Sequence, residues 1–269
     1  MVRGSFTGTI RTMPELLEVE AYRQLLLPTI GARILRVEAD NLVCGGLPGR
    51  CPAEGQHIVG LRRKGKLLLI DLADLVVGLH ARMTGSVLLD GTSAFDKLRY
   101  APKVSNESFI RLRVHLDDGS VIALHDPRRL ARVILDPDED RLGPDATTAT
   151  AAIVERALAI GTQSEVALKT RLLDQSRLSG LGNLLVDEIC FQARLDPARA
   201  AARLLRVEIE ALAEQIGITL QELGARGGSD RGTLQDARHR GGCCPNCGAL
   251  LTRSTIGGRT TYACRVEQQ

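Results

Sequence analysis

Three residues near the start of the chain could carry out covalent chemistry together: Pro14, Glu15 and Glu18. Pro14 follows Met13, and methionine aminopeptidase removes Met before a small residue such as Pro. Removal leaves Pro14 a secondary amine, a nucleophile for carbonyl-like carbons that can form a Schiff base. Glu15 and Glu18 follow within one helical turn and could move the protons such chemistry needs. Met1–Thr12 precede this stretch. While they stay attached, Pro14 is an amide nitrogen and not an amine. They are expected to be an upstream or misassigned start or a short extension. A purely structural reading also accounts for these residue types: Pro at a first helical position, acids in the first turn, and Leu and Val on a core face.

Two further groups have a chemical reading. Leu178-Ser179-Gly180-Leu181-Gly182-Asn183 is a Gly-rich turn feeding a helix. Such a turn presents unpaired N–H groups to an anion, and the Asn183 amide adds a donor. Ordinary capping is the competing explanation. Near the C-terminus stands Cys244-Pro245-Asn246-Cys247-Gly248, and sixteen residues separate Cys247 from Cys264. C-P-x-C-G has the form of a zinc knuckle, with Gly248 allowing the tight turn below the metal. A metal-free hairpin with three thiols is the alternative.

Composition narrows the classes. Seven Cys, four of them between 243 and 264, argue for a metal site and against a secreted disulfide framework. No apolar run reaches the length of a membrane span. No Trp and 3% aromatics weigh against a single-strand binder that stacks bases on aromatic platforms. Net charge is only +3, but residues 226–269 carry seven Arg against Asp230, Asp236 and Glu267, a net of +4. The remaining 225 residues therefore sum to −1. A basic C-terminal segment is the asymmetry that phosphate binding needs, although by charge alone a solvated tail is the better explanation.

The elements that must position these groups follow from periodicity. Pro14 to about Leu27 has a helical repeat, with Leu17, Ala21 and Leu25 on one face. Residues 31–135 change to short apolar runs: 66–72, 75–79 and the strictly alternating 109–116. Asp117-Asp118-Gly119-Ser120 then turns into Val121–Leu124. Many strands at this spacing predict an antiparallel sandwich or barrel. Asp136–Thr150, rich in Asp, Pro and Thr, reads as a linker. Helices are expected over 151–160, 166–174, 184–193 and 201–223, ending at Gly227-Gly228. The rest is too short for its own apolar core and needs a staple. The expected organisation is α+β and multidomain: an extension (1–12), a helix plus β-sandwich (13–135), a linker (136–150), a helical domain (151–228) and a zinc-finger-like hairpin (229–269).

Met13-Pro14-Glu15-Leu16-Leu17-Glu18-Val19-Glu20 resembles the opening of the formamidopyrimidine-DNA glycosylase and endonuclease VIII family, M-P-E-L-P-E-V-E, with Leu17 replacing the second proline. The resemblance continues to about Gln268, its blocks in family order and spacing. It implies that 178–183 belongs to a helix-two-turns-helix element whose turn grips the DNA backbone through Asn183. It implies that Lys66, in Arg63-Lys64-Gly65-Lys66, binds a phosphate beside the lesion, and that Arg259, past the Gly257-Gly258 tip, grips the phosphate of a flipped nucleotide. An enzyme that extracts a base must fill the hole it leaves. Met83 and Arg128 take that role by resemblance, with Leu130 in the slot of the usual third, aromatic wedge. The family finger is C-x2-C-x16-C-x2-C. Cys244, Cys247 and Cys264 match, and Glu267 stands in the fourth position, where Cys243 or His239 could substitute.

The resemblance implies a base-excision-repair DNA glycosylase with AP lyase activity for oxidised bases, using the Pro14 amine, Glu15 and Glu18. Its expected attributes are one structural Zn2+, damaged double-stranded DNA as partner, a monomeric state and a cytoplasmic, nucleoid-associated location. Leu17, Leu130 and Glu267 suggest a divergent bacterial branch. The rival is a non-catalytic binder of damaged or abasic DNA on the same fold. Only fourteen residues separate Gly228 from Cys243, which is short for a lesion-capping loop and weakens an 8-oxoguanine assignment. Arg259 is expected to be positioned by the metal-stapled ribbon alone.

Overall fold

A computed structural model describes residues 14–45, 51–94, 106–159, 162 and 164–269. The expected extension, 1–12, and Met13 lie outside the described residues. The chain divides into two compact units, one built of residues 1–14, 21–61 and 70–135, the other of 15–20, 62–69 and 136–269. The helix α1 (Leu16–Leu26) therefore gives its first residues to the second unit and its last to the first.

The first unit is the expected antiparallel sandwich. Its strands are β1 (Ile34–Ala39), β2 (Ile58–Lys64), β3 (Leu67–Leu72), β4 (Val76–His80), β5 (Ser86–Leu89), β6 (Thr92–Ser93), β7 (Ile110–Leu116), β8 (Val121–His125) and β9 (Arg132–Leu135). They form a five-stranded sheet ordered β1-β7-β8-β5-β6 and a four-stranded sheet ordered β2-β3-β4-β9, the tip of the β2–β3 hairpin counting with the second unit. Ile34, Val37, Val114 and Ile122 of one sheet and Ile58, Val77, Leu79 and Val133 of the other line a common apolar interior, as the strand alternation requires. The alternation in β7 is not strict. A register shift between Ile110 and Leu112 turns Arg111 inward, where it is 7% exposed. Its Nε donates to the Asp126 carbonyl at 2.8 Å and its Nη1 to the Ser108 carbonyl at 3.0 Å.

The second unit is mostly helical: α2 (Ala151–Leu158), α3 (Leu168–Leu172), α4 (Asn183–Gln192) and α5 (Arg206–Arg226), followed by the hairpin β10 (Thr252–Ile256) and β11 (Arg259–Ala263). Val154, Leu158, Leu172, Leu185, Ile189, Leu212 and Ile216 form its core together with Leu16. Leu17 is half-buried against the same core. The helix expected from Ala201 begins instead at Arg206. The Glu208 carboxylate accepts the Leu205 N–H at 2.6 Å and pairs bidentately with Arg199 at 2.6 and 2.8 Å, which fixes the helix start there. Gly227 ends α5 at φ 102°, and the Gly228 N–H closes back on the Leu223 carbonyl at 2.9 Å. Residues 136–150 carry two short 3-10 turns. Among the described residues, no helix is long and apolar enough to cross a membrane.

Candidate active site

In the second unit, α4 has no side chain of its own at its N-cap, Gly182. Its unpaired amides are capped from far away in sequence. The Glu15 carboxylate accepts N–H from Gly182 (2.8 Å), Leu184 (2.8 Å) and Leu185 (3.1 Å). A negative group at a helix N-terminus is favoured by the macrodipole and by the unpaired N–H groups. The Gly-rich turn is thus an anion cradle, as its residue types suggested, but these three donors serve the chain's own carboxylate. Gly182 is obligatory for the same reason: a Cβ there would lie 2.2 Å from the Glu15 carboxyl carbon.

Glu15 is 1% exposed. Burial pushes its carboxyl above the ordinary value and the Glu18 charge adds to this, while Lys66 and the α4 amides oppose it. A carboxyl raised in this way retains a proton to give at higher pH than a free glutamate. Glu18 is saturated with bonds of its own. It accepts the Glu15 N–H at 2.7 Å, the Ser229 N–H at 2.7 Å and the Ser229 hydroxyl at 2.8 Å. These contacts make Glu18 the group that holds the Glu15 backbone. Burial raises its carboxyl too, against the pull of these donors.

Lys66 stands at the tip of the β2–β3 hairpin. Burial lowers its ammonium below the ordinary lysine value; Glu15 pulls it up and Arg259 pushes it down. Lys66, Glu15 and Arg259 therefore share one electrostatic environment. The hairpin tip is set by Asp145, in the segment read as linker. Asp145 accepts Arg63 at 2.6 and 3.0 Å and the Gly65 N–H at 2.8 Å. Burial opposes its charge, but the Arg63 and Thr147 hydrogen bonds prevail and hold its carboxyl below the ordinary range.

Arg259 opens β11 and is exposed. The next residue is tied down: the Thr260 carbonyl accepts Asn183 Nδ2 at 3.1 Å and Lys169 Nζ at 3.3 Å. Asn183 thus spends one amide N–H on the hairpin, and its buried Oδ1 has no hydrogen-bond partner. The expectation that the ribbon alone positions Arg259 is corrected, because side chains of α3 and α4 hold β11 directly.

The Sγ atoms of Cys244, Cys247 and Cys264 lie within 4.8 Å of one another, Cys247 and Cys264 at 3.5 Å. Thiolates around a tetrahedral zinc at Zn–S of about 2.3 Å sit about 3.8 Å apart, so the cluster fits a metal. Burial disfavours the Cys264 thiolate, but the Glu267 and Val266 amides and the neighbouring thiols outweigh it and lower its thiol. The three thiols do not gather Glu267. Its carboxylate lies 3.9 Å from Arg194 Nε, and only its backbone N–H serves the cluster. Cys243 and His239 are not part of the cluster either. The segment before the finger is pinned at Ser229 by Glu18 and at Thr233 and Leu234 by Glu188, at 2.9 Å each.

In the first unit, Pro14 is half-buried. Met83 is 37% exposed and Arg128 is exposed. Leu130 is half-buried. One residue that the sequence reading passed over organises both loops. Asp126, fully buried, accepts the Thr84 hydroxyl, the Arg128 N–H at 3.1 Å and the Leu130 and Ala131 N–H groups at 2.6 and 2.7 Å. The signal was present in Asp126-Pro127, since Asp before a turn commonly binds the amides that follow. Asp145 and the Lys169–Asp187 pair carry no comparable local signature.

The model of the formamidopyrimidine-DNA glycosylase N-terminal domain matches residues 13–133, and that of the formamidopyrimidine-DNA glycosylase H2TH domain matches residues 142–233. A formamidopyrimidine-DNA glycosylase of Streptococcus thermophilus is 30% identical over 281 residues, spanning 94% of this chain and 98% of the relative. One of Roseiflexus sp. is 31% identical over 278 residues, again 94% and 98%. Among solved structures, the complex between Lactococcus lactis Fpg and an abasic site containing DNA superposes with a TM-score of 0.78 at 26% identity, covering 95% of this chain and 100% of that one. A Lactococcus lactis Fpg complex with a Fapy-dG containing DNA gives 0.78 at 27%, with the same coverage.

Proposed function

This chain belongs to the formamidopyrimidine-DNA glycosylase family, and we propose that it is a base-excision-repair DNA glycosylase and AP lyase acting on oxidised bases in duplex DNA. The observation that carries the reading is the placement of Glu15. It is a buried carboxyl with a raised pKa, next in sequence to Pro14 and sharing its field with the cations Lys66 and Arg259.

The Pro14 amine attacks C1′ of the damaged nucleoside. The N–C1′ bond forms, the glycosidic bond breaks, and the base leaves with the electron pair and takes up a proton. Opening of the C1′–O4′ bond gives an iminium, with Glu15 delivering a proton to O4′. The iminium is the electron sink for loss of a C2′ proton and elimination of the 3′ phosphate, so the strand is cleaved. Hydrolysis then frees Pro14. Glu18 keeps the Glu15 backbone in place. Lys66, Arg259 and the remaining Asn183 N–H take the phosphates, and Met83 and Arg128 fill the vacated stack. Cys244, Cys247 and Cys264 would hold one structural zinc. The protein acts in the cytoplasm, on nucleoid DNA.

Borohydride reduction tests this reading. A form beginning at Pro14 should be trapped covalently on duplex DNA containing an abasic site, and a form retaining Met1–Thr12 should not. Equal trapping by both forms would assign the nucleophile to another amine. No trapping by the Pro14 form on any abasic substrate would leave a non-catalytic binder of damaged DNA.

A further inference from the structure

Outside the residues assigned above, the second unit encloses a cluster of charges. Lys169 on α3 and Asp187 on α4 are both fully buried and lie 2.5 Å apart. Asp187 also accepts Arg238, which is 8% exposed, and faces the Tyr262 N–H at 3.4 Å. The Arg238 guanidinium sits 5.4 Å from the centre of the Tyr262 ring. Lys169 reaches past Asp187 to the Thr260 carbonyl. Two cations are therefore buried on one carboxylate, and Lys169 and Asp187 reach the backbone of β11 one and three residues beyond Arg259.

A buried ion pair is rarely the most stabilising way to fill a core. What it supplies here is direction. Apolar contacts let a two-stranded ribbon slide, whereas the hydrogen bond that Lys169 donates to the Thr260 carbonyl and the one that Asp187 accepts from the Tyr262 N–H admit one register. The cysteine cluster grips the far end of the hairpin, beyond Ala263 on β11 and before Thr252 on β10. The charge cluster grips the end next to Arg259. We propose that Lys169, through Asp187 and Arg238, is a positioning residue that locks β11 onto α4 and so aims Arg259, independently of any metal on the cysteines. This rests on the reading of Arg259 as a phosphate contact.

The test uses the full chain and a duplex carrying one stable abasic-site analogue. Amide hydrogen exchange at Thr261 and Tyr262 is measured beside the salt dependence of binding. Lys169→Met should accelerate exchange at both amides, weaken binding by about tenfold, and flatten the salt slope by about 0.9, as loss of one phosphate contact does. Arg259→Ala should flatten it equally, and the double variant should be no worse than either single one. Chelator should leave exchange at Tyr262 slow. Protected amides and an intact slope in Lys169→Met, or additive losses in the double variant, overturn the proposal. Should Lys169→Met not fold, Lys169→Met/Asp187→Leu/Arg238→Met removes all three charges of the cluster. The same losses are expected, and intact protection and slope in that folded variant overturn the proposal as well. If Arg259→Ala leaves the slope unchanged, the reading of Arg259 fails, while exchange at Tyr262 still decides the role of Lys169.

Discussion

Glu15 Oε1 accepts the Leu184 N–H at 2.8 Å across 169 positions of sequence. One carboxylate thereby caps α4 and stands beside the residue that would carry the nucleophile. The two duties separate by substitution. Glu15→Ala leaves the Gly182, Leu184 and Leu185 amides unpaired in a buried site, at about 1–3 kcal/mol for each such group left wholly unsatisfied. A stability loss of about 3 kcal/mol is expected in urea unfolding. Glu15→Gln retains an acceptor oxygen and should lose about half of that. Both should slow base release by about 10²–10⁴-fold in single turnover while binding of abasic DNA changes little. Because the Glu15 carboxyl is raised, a rate that needs its proton falls as pH climbs through a value above the ordinary carboxylate range. Glu15→Gln should abolish that limb. A limb that survives the substitution belongs to another group.

Asp145 fixes the turn that carries Lys66. Removing its carboxylate leaves Arg63, whose side chain is 8% exposed, a charge without its closest partner. Asp145→Ala should cost about 3 kcal/mol. The folded-state pKa of Asp145 is depressed, so its contribution is complete above the unfolded value and is lost as pH falls through the lower, folded value. The wild-type and Asp145→Ala stability curves should therefore converge in acid. A gap that stays constant down to the acid limit would mean that the carboxylate charge is not what Asp145 contributes.

Asp126 ties Thr84 to the amides of Arg128, Leu130 and Ala131. Asp126→Asn keeps its size but replaces one acceptor oxygen with a donor, so the two loops can no longer be held together. The expected effect is a fall in base excision from a lesion-containing duplex with little change on a pre-formed abasic site, where no base has to be displaced. Equal losses on both substrates would show that the substitution damages the fold more broadly than its loops.

Much of this was legible along the chain because it is local. The β-strand runs, α1, α4 and the Gly-Gly stop of α5 follow from periodicity and turn residues, and Cys244, Cys247 and Cys264 announce themselves by spacing. What escaped depends on partners distant in sequence. The Gly-rich turn looked like a cradle for an external anion, and nothing near Gly182 says that Glu15 fills it. Arg111 looked solvent-facing by alternation, until a register shift turned it toward the Asp126 carbonyl. The start of α5 moved to Arg206 because Glu208 caps backwards and binds Arg199. Glu267 fitted the fourth metal position by count, but at that place its carboxylate faces Arg194.

The cysteine cluster yields the last prediction. Purified protein should carry close to one metal ion per chain. Substitution with Co2+ should give sulfur-to-metal charge-transfer bands that vanish in Cys264→Ser. Glu267→Ala should keep both the metal and the bands, since its carboxylate is not gathered with the thiols and lies beside Arg194. A spectrum altered by Glu267→Ala would show that the side chain swings in when metal binds. Metal binding to thiols competes with protons. Burial of Cys244 and Cys264 keeps those two from ready exchange with solvent, while the exposed Cys247 is the expected point of attack for chelators and thiol reagents. Chelation should loosen the turn at Cys244–Cys247 first. Binding of abasic DNA should then weaken by much less than in Arg259→Ala, because Asn183, Lys169 and Asp187 still hold β11. Elemental analysis that finds no metal in protein purified without chelator would leave the three thiols as a plain structural cluster. A chelated protein that binds as poorly as Arg259→Ala would mean that the metal, and not α4, sets the hairpin.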